Sequence, residues 1–99
     1  MRANVGDFLD DIVESKFDRL EALMLHKYKQ FLNLYWMLKS YASDIKSIKY
    51  NESDKDVLVV VVDVSNADNR NKILYEVESY DHANSHPDGK SKLVISMTR

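Results

Sequence analysis

The sequence predicts an α+β fold: one long N-terminal helix packed on a four-stranded antiparallel β-meander. Apolar residues recur every three or four positions through the first forty residues, which is the helical period. Residues 56–64, DVLVVVVDV, are dominated by β-favouring side chains, and residues 90–99 alternate between apolar and polar. At 99 residues, the chain has the length of one domain, and we expect residues 1–99 to form it.

The helix is predicted from about residue 5 to about residue 43. Asn4 or Asp7 can cap its start, and the chain contains no glycine between Gly6 and Gly89 and no proline before Pro87. Glycine and proline are the strongest local signals for ending an element, so nothing in this stretch marks a break. The apolar positions with helical spacing are Leu9, Ile12, Val13, Phe17, Leu20, Met24, Tyr28, Phe31, Tyr35 and Leu38.

Strands are predicted at residues 45–50, 56–64 and 90–99. The middle one is apolar on both faces except at Asp63, which is typical of a central strand whose sheet is at least partly covered on both sides. The cluster NESDK at 51–55 and the segment DHANSHPDG at 81–89 are predicted to be a turn and a loop.

Residues 65–81 fit two interpretations. As a strand, Ile73, Tyr75 and Val77 alternate with glutamates, and the asparagines before them favour a turn. As a helix over residues 66–81, Ile73 and Val77 lie on one face and Ser65 with Asp68 resembles a capping pair. The strand completes the four-stranded meander and is favoured. The helix gives the alternative order α-β-β-α-β.

Two features of the long helix indicate an interaction surface. A second apolar stripe, formed by Leu25, Leu32 and Trp36, lies more than 100° from the first at 100° per residue. A helix of about 39 residues is also ~58 Å long, whereas strands of six to eight residues span ~20–27 Å. The N-terminal part of the helix would therefore extend beyond its sheet, and such an uncovered apolar patch normally marks an interface. The predicted interaction surface comprises Phe8, Ile12, Phe17, Leu25, Leu32 and Trp36.

Charge suggests how two copies would associate. Residues 1–25 hold six acidic and three basic residues, whereas residues 26–50 hold five lysines and one acidic residue. Two antiparallel helices would place the acidic half of one beside the basic half of the other, which suits a two-fold symmetric homodimer.

Most catalytic and cofactor chemistry is excluded by composition. The chain has no cysteine and two glycines, so it carries no thiol nucleophile and no glycine-rich phosphate loop. Ser85, His86 and Asp88 are too close in sequence to present triad geometry. His82 and His86 are weak metal-ligand candidates, since spacing of four residues joins two imidazoles only on a helix. We expect no enzymatic activity, no metal and no cofactor.

Nucleic acid is the main alternative ligand. Lys27, Lys29, Lys39, Lys46 and Lys49 are interleaved with tyrosines, a mixture that single strands favour. However, the net charge is −2 and no arginine occurs between residues 20 and 69. The lysines also do not share one helix face, so nucleic-acid binding is the less favoured interpretation.

The sequence therefore predicts a non-catalytic, homodimeric protein-interaction module, such as an adaptor, an inhibitor or a chaperone-like binder of another protein. A nucleic-acid-binding regulator is the alternative, and a metal-dependent activity at His82 and His86 is more remote. No stretch reaches the length of an apolar membrane span, and the N-terminal residues lack the apolar run of a signal peptide. A cytoplasmic location without membrane association is the corresponding expectation.

Overall fold

Three α-helices and a four-stranded antiparallel sheet form the protein in a computed structural model that describes residues 5–53 and 55–99, with side chains from residue 15 onward. The predicted α+β class with a four-stranded antiparallel sheet is confirmed. The elements are α1 (Val5–Lys27), α2 (Leu32–Ser40), β1 (Ile45–Glu52), β2 (Val57–Val64), α3 (Ala67–Glu78), β3 (Ala83–Asp88) and β4 (Lys92–Thr98).

The prediction of one continuous N-terminal helix is wrong, because the chain leaves the helical conformation at Tyr28. This residue has φ −127° and ψ 44° and is followed by a short 3-10 turn, Lys29–Phe31. Tyr35 then packs against Phe17, with ring centroids 6.1 Å apart, and its hydroxyl donates to the Phe17 carbonyl at 3.1 Å. In a straight helix these residues would be ~27 Å apart, so α2 must fold back beside α1.

The break removes the geometric premise of the antiparallel helix dimer. α1 has 23 residues and is ~34 Å long rather than ~58 Å, and the acidic and basic halves of the first fifty residues do not share one rod. The fold-back also lets α1 and α2 bury their apolar stripes in one core. The core side chains from these helices and the turn between them are Phe17, Leu20, Met24, Tyr28, Phe31, Leu34, Tyr35 and Leu38.

The point of reversal is tied to the sheet by a polar cluster. The Tyr28 hydroxyl donates to Glu52 Oε2 at 2.9 Å, and Lys27 Nζ lies 3.2 Å from the same oxygen. Burial and this hydrogen bond raise the pKa of Tyr28 to about 12. The hydrogen bond from Tyr28, with help from Lys27, holds the pKa of Glu52 below its ordinary value. The end of α1 is therefore fixed against the end of β1.

The sheet has the order β1-β2-β4-β3 and is not a meander. Since β2 and β3 both pair antiparallel with β4, they run parallel to each other. Parallel strands need a long crossover, usually a helix, and α3 provides it. The favoured strand over residues 73–77 is therefore wrong, and the alternative helix over 66–81 is close to the observed Ala67–Glu78.

Local chemistry favours this helix once the crossover exists. The Asn66 side chain caps α3 by accepting a hydrogen bond from the Asn69 backbone at 3.0 Å, and the Asn69 side chain in turn donates to Asp44. Ile73 and Val77 are buried against the sheet side of the core. Asparagines that suggested a turn thus form the N-terminal cap of a helix.

The predicted loop at residues 81–89 contains β3, which the sequence pattern did not reveal. β3 is an edge strand, ANSHPD, that pairs along its whole length with β4 and contains Pro87. Edge strands tolerate proline and polar residues because one side needs no ladder partner. Gly89, with φ +70°, turns the chain into β4, and Arg70 donates to the carbonyls of Gly89 and Lys90.

We expect Tyr28→Phe to lower the free energy of unfolding at pH 7 by about 1–2 kcal/mol, because a partly buried hydrogen bond to a carboxylate is lost. The raised pKa of Tyr28 means that folding favours the neutral phenol. Its contribution is fully present below about pH 10 and is lost as the pH rises towards about 12. Between these pH values, the free energy of unfolding measured with urea should thus change less with pH in the variant than in the natural chain. An equal change in the two proteins would contradict the prediction.

Glu52→Gln should lower the urea midpoint at pH 7. The lowered pKa of Glu52 places its stabilising effect above the unfolded-state pKa, and this effect disappears as the pH falls through the folded-state value. The two proteins should therefore converge once the pH has fallen below the folded-state pKa of Glu52, where both side chains are uncharged. A difference of midpoints that persists unchanged in acid would show that the carboxylate charge is not the cause. Asp18→Asn, at an exposed position within α1, is the matched control.

Candidate interaction surfaces

The two faces of the sheet are covered unequally. All three helices contribute to the core, with the inward side chains of the strands, such as Leu58, Val60 and Ile95. The opposite face is the open face, over which no described element packs. Its partly exposed valines are not in the core or among the residues packed against it. They form a patch, called here the valine strip, of Val57, Val59, Val61 and Val94.

Polar residues surround the valine strip on the open face. Val61 and Val94 pair directly and are flanked by Lys49 on β1 and His86 on β3. The neighbouring rows are polar: Ser47, Asp63, Lys92 and Asp88 on one side, and Asn51, Ser96 and Asn84 around Val59 on the other. An apolar centre with a polar rim is the usual anatomy of a protein interface.

Asp63 is the one position of the open face with a buried polar side-chain atom that lacks a partner among the described residues. Its Oδ1 atom is buried and accepts no hydrogen bond. Lys92 is the directly opposite residue on β4. Buried polar atoms without a partner are rare in native proteins and call for a physical explanation.

A basic groove lies at the free edge of β1, where α1 approaches the strand. It has a volume of about 470 Å³ and is lined by Lys16 and Arg19 of α1 and by Lys49 and Tyr50 of β1. A second depression of about 280 Å³ shares Lys49 and Tyr50 and continues to Val59 and Val61. The groove and the valine strip are therefore adjacent, with Lys49 and Tyr50 between them.

Helical spacing explains why the groove is basic. Lys16 and Arg19 are three residues apart and lie on one side of α1, whereas Asp18 and Glu21 lie on another. Lys16, Arg19 and Lys49 form no ion pair within the described part of the chain, where the two ion pairs are Lys27–Glu52 and Arg99–Asp56. Three cations thus face the groove without a neutralising carboxylate from the described side chains.

The sequence-predicted interaction residues are placed differently from one another. Leu25 and Trp36 are 48% and 49% exposed, while Leu32 packs partly against the core. Phe17 is buried at 1% exposure, so its assignment to the interaction surface is wrong; the fold-back of α2 covers it. Phe8 and Ile12 lie outside the residues whose side chains the structure describes.

The five predicted nucleic-acid lysines do not gather in one place. Lys27 pairs with Glu52, and Lys39 Nζ lies 5.5 Å from the centre of the Trp36 ring. Among the five, Lys49 lines the basic groove. The other cations of the groove, Lys16 and Arg19, were not predicted, because they precede the break and meet β1 through tertiary packing alone.

The valine strip was also missed as a surface. The sequence indicated a sheet covered on both faces, and the run of five valines and one leucine in β2 carries no signal that distinguishes the inner valines from the outer ones. The informative signal was on β1, where the residues that pair with the outer positions, Ser47, Lys49 and Asn51, are all polar.

The two candidate metal-ligand histidines lie on or beside an edge strand. His82 precedes β3 and has φ 64°, and His86 is exposed on the open face. Among residues 15–53 and 55–99, no group of three or more histidine, aspartate or glutamate side chains is arranged to hold a metal ion. These two histidines therefore gain no third ligand from the described fold.

Comparisons with known proteins add no assignment: the chain matches no protein family, curated protein or solved structure. Within the described residues, no helix has both the length and the apolar character needed to cross a bilayer.

We expect zinc to leave the thermal unfolding midpoint unchanged to within about 1 °C at a hundredfold molar excess. A ligand that binds only the folded state raises stability by RT ln(1 + [L]/Kd), and two loop-proximal histidines without a third ligand should bind weakly. The measurement is a melting curve with and without zinc. A rise of several degrees that disappears in His86→Ala would show that a metal site exists.

Proposed function

We propose that this chain is a non-catalytic protein-interaction module that forms a homodimer through the valine strip. The observation that carries the proposal is the uncovered centre of the open face. Four partly exposed valines lie side by side on β2 and β4, and the polar residues are confined to the rim. A contiguous apolar patch of this kind is a recognised mark of an interaction site.

Symmetry and charge both favour a second copy as the occupant. A two-fold axis parallel to the strands and between β2 and β4 would place Val61 of one copy against Val94 of the other. The same operation places Asp63 against Lys92 of the second copy, in both directions. Sheets that stack face to face pack about 10 Å apart.

The helix side of the molecule is the competing site for the dimer. Leu25 and Trp36 are large, half-exposed and lie on α1 and α2. Tyr35 packs against Trp36 with ring centroids 5.1 Å apart, and Lys39 lies above the indole. Leu25 and Trp36 lie on two separate helices, whereas the four valines lie side by side on one face of the sheet, so we assign the dimer to the valine strip.

The proposal predicts that Val61→Lys weakens self-association by about a hundredfold, since the dimer would bury two unpaired ammonium groups. Val61 is on the open face and outside the core, so the variant should fold as the natural chain does. Sedimentation equilibrium between about 1 and 100 µM measures the dimer constant, and circular dichroism checks the fold.

Asn84→Lys is the matched control, because it adds the same charge to the polar rim of the same face; it should retain the dimer. Trp36→Lys tests the competing site and should also retain it. A natural chain that is monomeric throughout this concentration range would overturn the dimer. Dissociation by Trp36→Lys, with no effect of Val61→Lys, would move the interface to the helices.

A further inference from the structure

From the basic groove and the strand beside it, we infer a binding site for an extended acidic peptide that adds to the sheet at β1. This inference rests on the proposal that the chain is a protein-interaction module, and it names the chemistry of a partner. The site is distinct from the centre of the valine strip, because its cations come from α1 and the outer edge of β1. The homodimer and the peptide site can therefore fail independently.

The strand edge supplies the backbone half of the site. β1 is the first strand in the order β1-β2-β4-β3, so one of its edges has no strand partner among the described residues. Such an edge presents N–H and C=O groups to an incoming chain, and peptides bind many proteins by continuing a sheet in this way. An irregularity at Ile45–Ser47 interrupts the regular ladder at the start of β1, which leaves residues 47–52 as the regular part.

The charges select the peptide. Side chains of an added strand alternate between the two faces of the sheet. Those on the helix side would face Lys16 and Arg19, and those on the open side would lie beside Lys49, with Val59 and Val61 beyond it. The complementary sequence therefore has carboxylates facing α1 and alternates them with short apolar or β-branched residues.

The same charges disfavour two other occupants. Pairing of β1 with β1 of a second copy would bring Lys46 and Lys49 of both chains along one seam, and lysines on edges oppose such pairing. A nucleic acid could use the three cations and Tyr50, but it offers no backbone amides to the strand edge. Three cations also neutralise few phosphates, and the affinity of such contacts depends on their number.

The test uses the full chain and a fluorescently labelled octapeptide with blocked termini that alternates glutamate with valine or threonine. Binding is followed by fluorescence anisotropy at low salt. We expect saturable binding that weakens as salt is added, because the pairs lie at the surface. The same peptide with glutamine in place of glutamate should bind at least about tenfold more weakly. N-methylation of alternate backbone amides should also cost at least about tenfold, since it blocks the ladder.

Charge reversal on the protein completes the design. Lys16→Glu combined with Arg19→Glu should weaken peptide binding by more than about tenfold. The matched control is Lys72→Glu with Lys90→Glu, which changes the net charge equally at exposed positions on α3 and in the β3–β4 turn. It should bind the peptide as the natural chain does. Both double variants should keep the natural dimer constant, so loss of dimer and loss of peptide binding are read separately.

Several results would overturn the inference. Absence of peptide binding at low salt removes the site. Equal binding of the glutamine peptide removes the charge selection, and equal binding of the N-methylated peptide removes strand addition. An octamer of thymidine nucleotides tests nucleic acid as the occupant. If it displaces the peptide, binds more tightly and loses affinity when Lys16 and Arg19 are changed, the ligand is single-stranded nucleic acid and not an acidic peptide.

Discussion

The reversal of the chain at Tyr28 is the constraint on which the rest of the structure depends. It brings the apolar stripes of α1 and α2 onto the same core and places Tyr35 against Phe17. Its geometry is fixed by one shared acceptor, Glu52, which binds both the Tyr28 hydroxyl and the Lys27 ammonium. Because Glu52 ends β1, the same contact aligns α1 with the edge strand and thereby creates the basic groove.

Because all three helices pack on one side of the sheet, no described element covers the other side. An antiparallel sheet can face water on one side if that side is polar, and most of the open face here is polar. The exception is its centre, where β2 carries valine at every outer position except Asp63. A sheet with an apolar centre on its uncovered face is incomplete as an isolated layer, and this incompleteness links the fold to the proposed dimer.

Edge chemistry differs between the two ends of the sheet. β3 is protected by Pro87 and by its short, polar sequence, whereas β1 carries lysines and an irregularity near its start. Proline lacks a backbone N–H that an added strand could use, whereas lysine disfavours mainly strands of like charge. This difference explains why the two edges are not equivalent as binding sites, and why the edge beside Lys16 and Arg19 is suited to an acidic chain.

The sequence by itself determined the local elements: the helical period before residue 40, the strength of β2 and the alternation of β4 follow from side-chain spacing alone. The break at Tyr28 could not be read from it, because the stretch has no glycine or proline and the contacts that accompany the reversal, Tyr28 with Glu52 and Tyr35 with Phe17, are tertiary. Only the tertiary structure made α3 a crossover, since parallel β2 and β3 require one, and recruited ANSHPD as a strand along β4. The surfaces followed the same rule. Leu25 and Trp36 could be predicted as exposed helix residues. The groove and the valine strip depend on which elements pack together, and residue spacing within one element does not encode that packing.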